Sequence, residues 1–306
     1  MSTEPLVTLN GSTMGTRWSA RLASHHDSPD LTIALQEAVD AVDRQMSTWR
    51  SDSDLMRLNA TAPGRWVDVE AELIAVLEIA AEVTAASNGA FDIGVGEAVR
   101  AWGFGRAQGQ IDESAIRTAL GQQLRATVEC DRGAGRARRL NDRNLDLSGV
   151  AKGFAVDQMA KVLLQRSVSG FVVGLDGEIV ANGLRPDGRP WAVALEQPDP
   201  SRRTARGVIE VTNRALATSG DYRHRVQLGT DWLSHTIDPR SGAPARNRLA
   251  SVTVLADDCA RADAWATALM VLGETEGPVI ARNKKIEAVF LIRDGAQFKE
   301  ITTLRD

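Results

Sequence analysis

The 306-residue sequence is 43% hydrophobic and 25% charged, the composition of a soluble globular protein with a sizeable core, and its formal net charge of −4 offers no basic field to condense a nucleic acid. Its two cysteines, Cys130 and Cys259, lie far apart and form no C-x-x-C pair, which argues against iron–sulfur clusters and thiolate zinc sites. No apolar run approaches the roughly 18 residues of a membrane span, and "MSTEPLVTLNGSTMG" has neither the basic nor the apolar region of an export signal, so the chain as written reads as cytoplasmic unless it is a processed form.

In chain order, "LVTL" and "TRWSARL" predict an opening β-hairpin that turns at Asn10-Gly11. A helix is expected from Asp30 to Met46, with Asp30 as its N-cap and Leu31, Leu35, Ala38, Val42 and Met46 on one face. A second runs over 70–86, burying Leu73, Leu77 and Ala80 and ending through Gly89, and a third over 112–120 is opened by Asp112 and stopped by Gly121. Strands follow in "GFVVGL", "EIVAN", "WAVALE", "GVIEVT", "ASVTVLA" and "AVFLIR", with Asp-Gly turns in "LDGEI" and "RDGAQF". The polar "EQPDPSRRTARG" at 196–207 reads as an exposed loop. This mixture predicts an α+β fold rather than strict βαβ repetition.

Three stretches carry candidate chemistry. In "DLSGVAKGFAVD" at 146–157, Leu145 and Leu147 read as a strand end and Phe154, Val156, Met159, Ala160 and Leu163 as a helix face. Gly149 and Gly153 permit a positive φ or a close backbone approach, and a helix N-terminus beside Lys152 suits an anion, although a plain strand-to-helix turn explains the same residues. In "RADAWATALMVLG", a helix ending at Gly273, Asp263 and Thr267 stand one turn apart on one face, either as hard oxygen ligands for Mg²⁺ or as a capping carboxylate and a packed threonine. In "SHTIDPRSGAPA", a turn through Pro239 and Gly242 presents His235 and Arg240, the histidine being either a ligand contact and proton acceptor or structural. "ATSGDYR" adds two hydroxyls and Arg223, as fit for a phosphate as for a turn. Trp49, Phe91, Trp102 and Phe104 are core or stacking aromatics, and Trp49, between a helix end and the polar "RSDSD", suits an exposed platform for a planar ring, with Asp92 placed to accept hydrogen bonds from a ring or ribose.

Taken in order, "TMGT" (13–16), "MSTW" (46–49), "AFDIGVG" (90–96), "WGFG" (102–105), "DLSGVAKGFAVD", "ATSGDYR", "HTIDPRSG", "SVTV" and "ADAWATALMVLG" resemble the ApbE family of FAD:protein FMN transferases. The resemblance implies a single catalytic domain over 1–306 with an α+β, two-lobed architecture and the flavin in the cleft between lobes. It implies that Met14 and Trp49 border the isoalloxazine, Trp49 standing where relatives often have tyrosine. Ala90, Phe91 and Asp92 contact flavin or nucleotide, Asp146 and Lys152 contact FAD around the phosphates and adenosine, and His235 and Ile237 lie near the flavin. It implies further that Gly149, through its carbonyl, Asp263 and Thr267 hold Mg²⁺; a second aspartate that some relatives carry is Ala266 here. His235 and Asp263 are the candidate proton acceptors.

The implied reaction is Mg²⁺-dependent transfer of FMN from FAD to a Thr/Ser hydroxyl of an acceptor protein, with release of AMP. The acceptors implied are flavoprotein subunits of membrane redox complexes carrying a flavinylation motif, and many relatives are exported. Two other readings stand beside it: an FAD diphosphatase giving FMN and AMP at the same site, and a non-catalytic FAD-binding protein.

Overall fold

Alternating inward and outward side chains build one antiparallel sheet of eight strands: β1 (Leu6–Thr13), β2 (Thr16–Ala23), β3 (Phe171–Leu175), β4 (Glu178–Asn182), β5 (Arg214–Gly220), β6 (Leu249–Ala256), β7 (Glu287–Asp294) and β8 (Gln297–Thr302). Their order in space is their order in the chain. This is a computed structural model, and it describes residues 4–107, 109–120, 125–199, 202, 204–222, 225–228, 231–295 and 297–305. Gly121, Arg223, Ala296 of the last Asp-Gly turn and parts of the 196–207 loop lie outside the described residues. The antiparallel sheet with separate helices bears out the α+β class.

The helices are α1 (Pro29–Met46), α2 (Asp54–Ala60), α3 (Ala71–Ala86), α4 (Gly96–Ala101), α5 (Glu113–Ala119), α6 (Ala151–Gln165) and α7 (Cys259–Lys284). Helices α1, α6 and α7 lie side by side on one face of the sheet. Phe171, Val173 and Leu175 of β3 point into that layer, with Leu35, Val39, Phe154 and Met159 in the same core. The opposite face is covered by a hairpin, Trp191–Glu196 paired with Ala205–Val211, whose Trp191 and Val193 pack on Ala181 and Leu216. Helix α7 meets its neighbours through alanines at 260, 262, 264, 266 and 268, all fully buried, so its backbone approaches α6 and the sheet closely.

Several expectations change against this frame. The opening hairpin turns at Met14-Gly15, with φ of 47° and 72°, not at Asn10-Gly11, which pair with Ser19 and Trp18 inside the ladder. Gly11 is needed there for space, because a Cβ would lie 2.4 Å from the Trp18 indole nitrogen. The N-cap of α1 is Ser28, whose hydroxyl accepts the Leu31 N–H while Pro29 occupies the first turn, so Asp30 is inside the helix. Leu145 and Leu147 are buried but belong to no sheet. The Asn59 side chain takes the neighbouring strand's place, accepting the Leu145 N–H (2.8 Å) and donating to its carbonyl (2.9 Å). Neither Gly149 nor Gly153 has a positive φ; close approach is their role. "ATSG" is no turn but the end of β5. Helix α7 does break at Gly273 (φ 75°) and then resumes to Lys284.

Two ionisable side chains, buried Arg139 and half-buried Asp157, tie these parts together. Arg139, 5% exposed, donates to the carbonyls of Leu58, Asn59, Thr61 and Arg143, satisfying the C-terminal end of α2 and so fixing Asn59. Asp157, the last residue of "DLSGVAKGFAVD", accepts the N–H groups of Cys259 (2.8 Å) and Ala260 (2.9 Å) and caps α7 from α6. Burial pushes its carboxyl up to about 7, against the two amide hydrogen bonds. The folded chain then binds more protons here than the unfolded chain between about pH 4 and 7, so this contribution to stability is full in acid and fades as pH rises through about 7. Asp157→Asn should remove that slope from unfolding free energies measured across pH. An amide accepts only one of the two N–H groups, so the variant should also lose about 1–3 kcal/mol.

Candidate active site

A cleft of about 1080 Å³ opens where the β3–β4 turn and the end of β5 meet the first turns of α6 and α7. Every residue carried over from the resemblance lines it: Met14, Trp49, Ala90, Phe91, Asp92, Asp146, Gly149, Lys152, His235, Ile237, Asp263 and Thr267. Met14, left-handed at the hairpin tip, and Trp49, after α1, are both part of its lining. Trp49 is 55% exposed, whereas Phe91, Trp102 and Phe104 are buried, so of the four candidate aromatics Trp49 is the one left open to a ligand. Trp102 and Phe104 belong to a small core with Leu233 and Ile237, and the Trp102 N–H donates to the Gly242 carbonyl (2.9 Å).

The inner end of the cleft is built by the two glycines. A Cβ on Gly153 would lie 2.3 Å from the Cys259 carbonyl oxygen, so only glycine lets α6 touch the start of α7. That contact places the Gly153 N–H 3.0 Å from Oδ2 of Asp263, which is 4% exposed. Burial pushes the Asp263 carboxyl up, while the Lys152 ammonium and the Gly153 N–H pull it down. Thr267, one turn on, shares a hydrogen bond with Ser219 of β5 (3.2 Å), and its Oγ1 is 3.1 Å from where a Cβ on Gly149 would be. Thr218, the other hydroxyl of the "ATSG" stretch, turns to the opposite face and pairs with Thr253 (2.8 Å).

Among the described residues no three His, Cys, Asp or Glu side chains form a cluster able to hold a metal. One buried carboxylate, one hydroxyl and nearby backbone oxygens remain, a hard and incomplete donor set that fits Mg²⁺ completed by phosphate oxygens. Ala266 is fully buried in the core, so no second carboxylate reaches the set from that position.

Other expected contacts are engaged within the protein. Lys152, at the start of α6, donates to Oε1 of Glu178 (2.8 Å). Asp92 accepts the N–H groups of Gly94 (2.8 Å) and Ala126 (2.9 Å) through Oδ1, and burial raises its carboxyl against those two bonds. Asp146 accepts the Ser148 N–H (2.8 Å), shaping the turn into α6. Arg240 is held by Asp238 in its own turn. His235 follows the Asp231–Ser234 strand, its ring edge-on to Phe104 at 6.5 Å. Sequence reasoning missed Glu178, because "EIVAN" reads as an ordinary strand and its partner lies 26 residues upstream. It also missed the link from Tyr222 to Glu196 (3.0 Å), which joins the loop after β5 to the covering hairpin at the cleft.

A model of the ApbE family matches residues 14–290. An FAD:protein FMN transferase of Vibrio cholerae serotype O1 is 35% identical over 302 residues, covering 96% of this chain and 90% of the relative. One from Klebsiella pneumoniae is 32% identical over 299 residues, covering 95% and 85%. The solved flavin transferase ApbE from Vibrio cholerae superposes with a TM-score of 0.85 at 33% identity, covering 97% of both chains.

Proposed function

The chain belongs to the ApbE family and is an FAD:protein FMN transferase, and we propose that it works with Mg²⁺, joins FMN to a Thr/Ser hydroxyl of an acceptor protein and releases AMP. The observation that carries this reading is the convergence of Gly149, Lys152, Asp263 and Thr267 at the inner end of a cleft whose rim holds an exposed tryptophan. Asp263, Thr267 and the Gly149 carbonyl would hold the metal, which when bound would supply charge neutralisation on the pyrophosphate and a better leaving group. The acceptor hydroxyl attacks the FMN-side phosphorus, the bond from that phosphorus to the bridging oxygen breaks, and the bridging oxygen leaves on AMP. His235 takes the hydroxyl proton, since Asp263 is buried and already bonded to the Gly153 N–H. Met14 and Trp49 border the flavin, Ala90, Phe91, Asp92 and Ile237 line its approach, and Asp146 shapes the turn beside the phosphates. The acceptors are flavoprotein subunits of membrane redox complexes.

The test incubates the purified chain with FAD and a peptide bearing the acceptor Thr/Ser, with and without Mg²⁺, and follows products by intact mass. A Mg²⁺-dependent FMN adduct together with AMP supports the reading. Free FMN and AMP without adduct make the chain a diphosphatase, and intact FAD throughout leaves only binding. Trp49→Ala should weaken FAD binding about tenfold, read from quenching of flavin fluorescence, because stacking on an aromatic ring contributes about 1–3 kcal/mol. Its melting temperature should not move, since the ring is 55% exposed.

A further inference from the structure

Glu178 is an ionisable side chain in an unusual place for a structural residue: burial pushes its carboxyl up, against the pull of the Lys152 ammonium. It opens β4 and is 1% exposed, on the sheet face where Val173, Leu175 and Val180 pack against the helices. Its Oε1 accepts from Lys152, while Oε2 is buried with no hydrogen-bond partner. A buried ion pair can usually be replaced by apolar side chains at little cost or with a gain in stability, so the fold alone does not call for this one. The unpartnered oxygen adds a further penalty.

What the pair does is legible from its third neighbour. Lys152 precedes Gly153, whose N–H binds Asp263, so the lysine is anchored beside the Asp263 carboxylate in the chain while its ammonium pairs with Glu178, and both carboxylates act on its charge. Burial disfavours the ammonium, but Glu178, Asp263 and Asp176 together reverse this and keep it protonated well above the ordinary lysine range. An ion pair within 4.0 Å joins Lys152 to Glu178, and none joins it to Asp263. A lysine side chain with four rotatable bonds and only Asp263 to neutralise it would pair there, and the metal would then have to displace the lysine.

We infer that Glu178 is a positioning residue that draws the Lys152 ammonium away from Asp263, leaving that carboxylate to the metal and the cation to the substrate's phosphates. The inference rests on the metal and pyrophosphate reading above. Glu178 is rigidly held for this role, because β4 lies between β3 and β5, and the turn before it is fixed by Asp176 at φ 56° and by Gly177, where a Cβ would lie 3.1 Å from the Thr218 carbonyl.

The test compares wild type, Glu178→Gln, and Glu178→Gln combined with Lys152→Met. Glutamine keeps the shape and a hydrogen-bond acceptor and removes the charge. A crystal structure of Glu178→Gln should show the Lys152 Nζ moved to within hydrogen-bond distance of Asp263. Mn²⁺ titrated into the FAD-loaded full chain and read by electron paramagnetic resonance should bind about tenfold more weakly to the single variant, and Lys152→Met should restore most of that loss by removing the competitor. A merely structural carboxylate predicts no such rescue. Lys152 unmoved in the crystal, or equal Mn²⁺ affinities for wild type and Glu178→Gln, overturns the inference. FAD binding by the wild type, followed by flavin fluorescence, checks the functional reading by itself; its absence overturns that reading and the inference with it.

Discussion

Asp263→Asn should lower the rate of FMN transfer at saturating FAD by about a thousandfold or more, the scale expected when a charge-stabilising group is lost from phosphoryl transfer. The amide retains an oxygen to accept the Gly153 N–H, so the α6–α7 contact that Asp263 makes at 3.0 Å survives. Only the charge is removed. Because burial already pushes the Asp263 carboxyl up, the neutral amide is easier to bury and the melting temperature should hold or rise. The measurement is the rate of adduct formation by intact mass over a range of Mg²⁺, with a melt and an FAD titration beside it. Wild-type rates at ordinary Mg²⁺ would remove Asp263 from the metal site. A collapse in melting temperature would instead make the Asp263 charge itself structural, as a partner of the Lys152 ammonium.

Local order in the chain carried much of this structure. The helix faces of α1 and α3 follow a 3.6-residue period, and the Asp176-Gly177 turn has the left-handed φ that an Asp-Gly pair favours. Where local rules failed, a distant residue had decided the outcome. Asn10-Gly11 is strong turn chemistry, yet the ladder continues through it because the Trp18 indole needs the space beside Gly11. Helix α2 has only seven residues and is held by Arg139, about eighty positions away, too short a segment to show a period. The residues named from the resemblance share one cleft because ordered family motifs carry tertiary information that periodicity lacks. Glu178 had neither signal. Its meaning depends on Lys152 and Asp263, which lie on two helices that reach it only in the folded chain.

The two glycines of "DLSGVAKGFAVD" should fail in different ways when given a methyl group. On Gly153 the Cβ meets backbone, the Cys259 carbonyl oxygen at 2.3 Å and its carbon at 2.7 Å, and neither can yield without moving α7 off α6. Gly153→Ala should therefore cost about 3 kcal/mol or more, and with it the alignment of Asp263 and the Asp157 cap, read as an early denaturant midpoint with FMN transfer lost. On Gly149 the Cβ meets side chains, Thr267 Oγ1 at 3.1 Å and Phe91 at 3.2 Å, which can shift by a few tenths of an ångström. Gly149→Ala should keep its denaturant midpoint within about 1 kcal/mol of wild type, yet need roughly tenfold more Mg²⁺ for half-maximal transfer, because the shift displaces the Thr267 hydroxyl from its bond to Ser219. If both variants lose stability equally, the junction is a packing device throughout. If Gly149→Ala alone changes the metal requirement, the same short stretch is divided by function: its first glycine serves the site, and its second holds together the two helices that make the site possible.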